Sequence, residues 1–470
     1  MQKGASMTNS LYFHHEQIPY PVYSILVSHH GKRIQEEYFA PCSQRTLHRM
    51  FSVTKSFTAL AVCALAAEGR ISLSDPIIRY FPDYTPENPH PWLARMTIQD
   101  LLDMRTCHKV TTYKLNPSEN WVRSFFTTLP DHRSGQIFKY DTSAAHTLAA
   151  LVKRVSGSGI LDCLRPIYLN QIGFSEEAYV LCDPFGDEIG GSGMLALPED
   201  LMVTAEFLMA LYQDTWKERY ASVIQAPYDE AFFTRYRDLI RQCVSFRSAT
   251  IHEGKTLDEC QGYGSQFWRL RNGFMMYGMG GQYAAFFPEE DLIIVTTADS
   301  QSLQGGTQYL LDEMNRIDMI LRTEAGRSSH PVSLPDCPEG NGDAEAMLEV
   351  LSRLSGTYRF LDNPKGFHTC TIDSDAVTLE SADAAFRFPI TVTGTEEIRD
   401  PKYHQRLHVR TSALKDGSLY QYVQIQDEYL GSIRILIQGG NGKITIYLRK
   451  IEESLFSEMD GFFEAERTAG

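Results

Sequence analysis

No stretch of this chain reaches the ~20 apolar residues that a membrane span needs, and no dense cluster of Lys and Arg occurs anywhere in it. With a formal charge of −15, nucleic acid and anionic membranes are not expected partners, because both demand a strong basic patch. Cys-x-x-Cys pairs are missing. The nine cysteines are odd in number and scattered, so neither a disulfide framework nor a zinc site is indicated. Gly-x-Ser-x-Gly is missing too: Gly190-Gly191-Ser192-Gly193 runs on into Met194, which argues against an α/β-hydrolase nucleophile elbow. There is no His-Glu-x-x-His; His14-His15-Glu16 and His29-His30 are expected to face solvent. Residues 1–10 hold no apolar run that would serve as the core of an export signal. The expectation is a cytoplasmic protein with reduced thiols, no metal and no cofactor.

What the chain does contain is Ser52-Val53-Thr54-Lys55. Three apart on a helix, the two polar side chains share one face with roughly 5–6 Å between Cβ atoms. The amine then reaches the hydroxyl and can take its proton, the requirement for a Ser-Lys nucleophile. The pattern alone is cheap, arising by chance about once or twice in such a chain. Ser412-Ala413-Leu414-Lys415 also fits, but it runs into Asp416-Gly417, a turn signal. The first copy is followed by Ser56 to Glu68 without Gly or Pro, and Gly69 stands where a helix C-cap belongs. Ser52 should therefore open a long, buried helix, whose positive end lowers the Lys55 pKa and favours charge at Ser52. The competing reading is a serine N-cap beside a snorkelling lysine.

At 470 residues the chain exceeds one ordinary core. Strands are expected at Val22–Val27 and from Ile34 to Phe39, a capped helix from Thr97, and mostly helix from Asp200 to about Arg241. Tyr283–Phe287 and Leu292–Thr297 read as strands, followed by a helix from about Gln308 to Leu321. A sheet assembled from both ends of residues 1–323, flanked by helices, is the economical arrangement. Residues 324–343, rich in Pro, Gly and Ser, read as a linker. Beyond them, after a short helix near 344–354, residues 344–470 are strand-like, and Gly439-Gly440-Asn441-Gly442 signals a hairpin. A small antiparallel barrel or sandwich is expected there.

In that layout residues 20–322 resemble the serine β-lactamase-like hydrolases, a superfamily that includes class C β-lactamases, D-Ala-D-Ala peptidases, related esterases and aminohexanoate-oligomer hydrolases. The matches come in order: Phe51-Ser52-Val53-Thr54-Lys55, Leu73-Ser74-Asp75-Pro76-Ile77, Thr97–Leu102, Phe138-Lys139-Tyr140-Asp141-Thr142-Ser143, Gly190–Met194 with Asp200, then Gly262-Tyr263-Gly264 and Met279-Gly280-Gly281-Gln282. The resemblance implies an α+β (αβ-sandwich) fold with an all-helical subdomain. It also implies that Ser52 attacks a carbonyl, Lys55 activates it, and Tyr140 shuttles the proton beside a cation that lowers its pKa. The N–H groups of Ser52 and Gln282 would form the oxyanion hole. Thr142, Tyr277, Met279, Gly280 and Gly281 would line the substrate site, and Tyr263 and Trp268 are further pocket candidates.

Two departures bear on substrate. Thr142 stands where relatives often have Asn, and Met279 where they often have Lys or His. A carboxylate-bearing β-lactam or D-Ala terminus would want a cation there, so an ester or uncharged amide fits better than β-lactamase or carboxypeptidase activity. Arg105-Thr106-Cys107-His108 replaces a Ser-Gly turn of relatives and is expected to reshape the entrance. His146 is expected to pack or meet solvent. A ligand-binding sensor with the same fold is the non-enzyme alternative. Three roles stay open for the carboxy-terminal barrel: covering the site, mediating dimerisation as a homo-oligomer, or binding a ligand.

Overall fold

The computed structural model describes residues 11–327, 343–391, 394–426, 430–451 and 455–468. The chain opens with β1 (Val22–His29) and β2 (Lys32–Tyr38), and β1 carries the buried residues Ile25, Leu26 and Val27. A small three-stranded sheet follows from β3 (His48–Arg49), β4 (Tyr179–Val180) and β5 (Met194–Ala196), with β5 in the middle. The large sheet is completed by β6 (Trp268–Arg269), β7 (Phe274–Gly278), β8 (Gln282–Phe287) and β9 (Leu292–Ala298). Its order is β2-β1-β9-β8-β7-β6, antiparallel at every pairing. Strands from both ends of this part of the chain therefore meet at β1 and β9.

Seven helices matter here: α1 (Val53–Ala67), α2 (Ile98–Leu102), α3 (Thr142–Ser156), α4 (Pro198–Gln213), α5 (Glu230–Val244), α6 (Thr307–Glu324) and α7 (Ala344–Leu354). Every residue of α1 except Ala66 is buried, so this helix has no solvent face and sits against α3 and α5. Each of its buried Leu, Val and Phe side chains contributes about 1.5–3 kcal/mol. Gly69 follows at φ +76°, the left-handed stop its position predicts. Helix α4 covers β1, β8 and β9. Thr97 and Asp100 form the expected capping box on α2.

Helix α6 runs through Glu324, the first residue of the expected linker. Asp343, its last, N-caps α7 by accepting from the N–H groups of Glu345 and Ala346. Residues 328–342 lie outside the described residues. Ten antiparallel strands between Gly356 and Arg467 then form a nearly closed, barrel-like sheet. Its first strand (Gly356–Phe360) pairs with its last (Gly461–Arg467). The two edge strands, Ala385–Pro389 and Glu396–Arg399, leave a gap that side chains bridge. Thr411 Oγ1 and Gln421 Nε2 both donate to the Pro389 carbonyl, at 3.2 and 3.0 Å. Met347, Val350, Leu351 and Leu354 of α7 enter the barrel core beside Val409, Val423, Ile435 and Ile446. The predicted hairpin is present, with Asn441 and Gly442 both at positive φ (54° and 76°), as a tight two-residue turn requires. No helix among the described residues is long and apolar enough to cross a membrane.

Candidate active site

Ser52 follows a short strand rather than a loop of its own. β3 delivers Met50 and Phe51, and the Met50 N–H bonds the Met194 carbonyl at 2.8 Å. Thr54 closes this junction from the helix side: its Oγ1 donates to the Phe51 carbonyl (2.6 Å) and accepts from the Met194 N–H (3.0 Å). Phe51 is held at φ +46°, a conformation costing a bulky residue about 1–3 kcal/mol, of the kind that gathers at functional sites. Ser52 itself is αR (φ −69°, ψ −6°), and its side chain caps nothing. The serine N-cap reading therefore does not describe this hydroxyl.

The Ser52 Oγ instead meets Lys55 Nζ at 3.1 Å. The same amine donates to the Gly191 carbonyl at 2.6 Å, a partner the sequence presented only as part of a structural glycine segment. Gly191 must be glycine here: a Cβ would stand 2.4 Å from Thr142 Cγ2. Lys55 does not snorkel, being only 1% exposed. Its pKa is lowered to about 7, first by burial and further by Lys114, with Asp141 opposing. The sequence expectation assigned this shift to the helix dipole; desolvation carries it.

Tyr140 is half-buried, its ring centroid 5.0 Å from Lys55 Nζ and its phenol close enough to Ser52 to interact with the hydroxyl. The expected downward pull on its pKa is not found. Burial raises it well above the ordinary phenol, and the charge of Glu259 adds to the rise, against an opposing pull from Ser52. The tyrosine is thus a protonated phenol at neutral pH. Sequence reasoning also passed over Asp141. It is fully buried, N-caps α3, and accepts from the Ser143 N–H (2.8 Å), the Ser143 hydroxyl and Thr106 Oγ1 (3.3 Å). Its carboxyl is pushed up to about 6, chiefly by burial. The Asp-Thr-Ser run before an apolar helix was the available signal. Thr106, in the segment expected to reshape the entrance, is thereby tied to the N-terminus of α3.

Thr142 packs its methyl against Gly191 beside Lys55. Met279, Gly280 and Gly281 form the turn between β7 and β8; Met279 is 47% exposed and the two glycines lie at φ +87° and +102°. This turn abuts the segment leading into Ser52, because a Cβ on Gly278 would stand 2.3 Å from the Met50 carbonyl oxygen. The Gln282 side chain turns inward, donating to the Ala298 carbonyl at 2.6 Å, so only its backbone is available for the role expected of it. Tyr140, Trp268 and Tyr277 form a continuous aromatic wall, with centroid spacings of 5.7 and 5.9 Å. Tyr263 is buried behind it, edge-on to Tyr140 and Trp268. His146 packs, as one of its expected alternatives had it, bonded to Asp183 at 3.1 Å. Among the described residues no three His, Cys, Asp or Glu side chains gather as a metal site, and no disulfide joins any of the eight cysteines described.

The Beta-lactamase family model matches residues 16–312. Protein flp of Staphylococcus aureus (strain COL) is 26% identical over 227 residues, covering 45% of this chain. The match takes in only 44% of that relative's length. The solved structure of SurE covers 99% of this chain and 100% of its own, with a TM-score of 0.51 at 14% identity. A candidate beta-lactamase from Bacteroides dorei DSM 17855 covers 68% of this chain and 98% of its own, with a TM-score of 0.51 at 13% identity. At these identities the solved structures establish a shared fold.

Proposed function

Because the chain belongs to the beta-lactamase family of serine hydrolases, we propose that it acts through a Ser52-Lys55-Tyr140 acyl-enzyme mechanism on an ester or uncharged amide. The observation that carries this reading is the 3.1 Å contact between Ser52 Oγ and a buried lysine whose pKa falls to about 7. Near neutrality a large share of Lys55 is then a free amine, with an N–H on the Gly191 carbonyl and its lone pair available to the serine.

Lys55 takes the Ser52 proton as Oγ adds to the substrate carbonyl carbon. The resulting oxyanion is received by the N–H groups of Ser52 and Gln282; losing one such donor costs about 10²–10³ in rate. Tyr140 gives its phenolic proton to the leaving oxygen or nitrogen as the carbonyl re-forms, and the Lys55 ammonium returns a proton to the phenolate. The acyl group now sits on Ser52. Water repeats the sequence in the second half-reaction, regenerating the serine hydroxyl. Acyl transfer in two steps needs no redox change, and the site's own groups balance the protons.

The uncharged Met279 at the mouth and Thr142 in place of an amide favour a substrate without a carboxylate at that position. The test is hydrolysis of p-nitrophenyl acetate and butyrate by wild type and Ser52→Ala, with intact-mass detection of the acyl adduct. Turnover and adduct present in wild type and gone in the variant are expected. Equal turnover in purified Ser52→Ala would remove the mechanism. Acylation by a fluorescent β-lactam but not by the esters would move the substrate to the β-lactam class.

A further inference from the structure

The catalytic tyrosine is the end of a segment whose other side is held by the carboxy-terminal barrel. Between residues 138 and 140 successive side chains face opposite ways. Phe138 and Tyr140 lie toward Trp268, whereas Lys139 points away from the serine. Its Nζ donates to Glu253 Oε1 at 2.6 Å and to Tyr447 Oη at 3.3 Å. Tyr447, on the barrel strand Lys443–Ile451, donates to the same Glu253 oxygen at 2.9 Å. Two donors from distant parts of the chain thus share one carboxylate oxygen, and one of them, Lys139, is the neighbour of Tyr140.

The backbone is held in the same way. His252 Nε2 donates to the Phe138 carbonyl at 2.8 Å. The loop carrying His252 and Glu253 is itself gripped by the barrel, since Arg434 donates to the Ile251 carbonyl at 2.8 Å and Arg449 to the His252 carbonyl. Upstream, His132 stacks on Phe462 at 3.8 Å between centroids. From the far side Asp141 caps α3. Tyr140 is therefore fixed between a helix and the barrel.

We propose that Tyr447, through Glu253 and Lys139, is a positioning residue for Tyr140, so that the barrel sets the geometry of proton transfer at a site it need not touch. This rests on the catalytic reading of Tyr140. A small misplacement of a reacting group can cost up to about 10² in rate, and a hydroxyl deletion leaves shape nearly unchanged. Tyr447→Phe and Glu253→Gln should lower kcat between about 5- and 100-fold on the p-nitrophenyl esters, with KM little changed. The same substitutions in a Tyr140→Phe background should cost nothing further, because a residue acting through Tyr140 has nothing left to position. Equal losses in both backgrounds, or no loss in either, would overturn the proposal. Hydrogen exchange of the peptide spanning residues 133–141 reads the same brace without turnover. Should wild type show no Ser52-dependent activity, faster exchange there in Tyr447→Phe would uphold the brace alone, and unchanged exchange would end it.

Discussion

In the proposed mechanism Ser52 and Lys55 are ordinary side chains made reactive by where they stand. Burial lowers Lys55 to about 7, so the acylation rate should climb with pH and level off above a midpoint near 7, in a stopped-flow burst with p-nitrophenyl acetate. A flat profile between pH 6 and 8 would contradict the amine as base. Stability follows the same group with a definite sign. The unfolded lysine titrates near 10.5 and the folded one near 7, so between these values the unfolded state binds more protons. The cost of burying the ammonium is full below about pH 7 and fades as pH rises toward 10.5. Lys55→Met should therefore gain stability relative to wild type at pH 6 and lose that advantage by pH 10, as denaturant melts would report. Lys55→Ala should cost on the order of 10³–10⁶ in kcat.

The elements explain why that geometry is kept. The β3–β5 pairing and Thr54 tie the start of α1 to the Gly190–Gly193 segment, so serine, lysine and the Gly191 carbonyl belong to one rigid junction. The β7–β8 turn approaches the same junction through Gly278, where no side chain fits. Gly278→Ala must push the turn away from Met50. Overpacking of this kind typically costs about 1–3 kcal/mol, and the displaced Gln282 N–H should lower kcat more than it raises KM. A variant with a lowered melting temperature but unchanged kcat would show that the turn does not form the oxyanion hole.

Across the whole molecule two cores are visible, one assembled from residues between 13 and 321 and one between 347 and 465. They meet through the small cluster of Ile137, Ile251, Tyr420, Leu436 and Tyr447 and through ion pairs such as Arg133–Glu464 at 2.6 Å. We propose a domain boundary within 324–343. Deletion of residues 330–470 should leave an amino-terminal unit that still unfolds cooperatively, at a lower melting temperature because those contacts are gone. Protein that is soluble only with the barrel attached would place both cores in one folding unit.

The S-x-x-K helix, its glycine stop, the Tyr140 motif and the strands Tyr283–Phe287 and Leu292–Thr297 were all legible in the chain itself, because helical spacing, caps and apolar runs are local. So was the β-rich character of the last third, through its alternating runs and the Asn441-Gly442 turn, although strand order was not. Legibility stopped where partners come from afar. The Gly191 carbonyl on Lys55 lies 136 residues from it, and Tyr447 lies 308 residues from Lys139. The cause of the Lys55 shift and the direction of the Tyr140 shift were missed for the same reason: the sequence offered a helix dipole for Lys55 and a cation for Tyr140, whereas burial, which only the assembled core creates, decided both. Residue types and spacing thus determined which groups are candidates to react, and tertiary packing decided their protonation and what holds them in place.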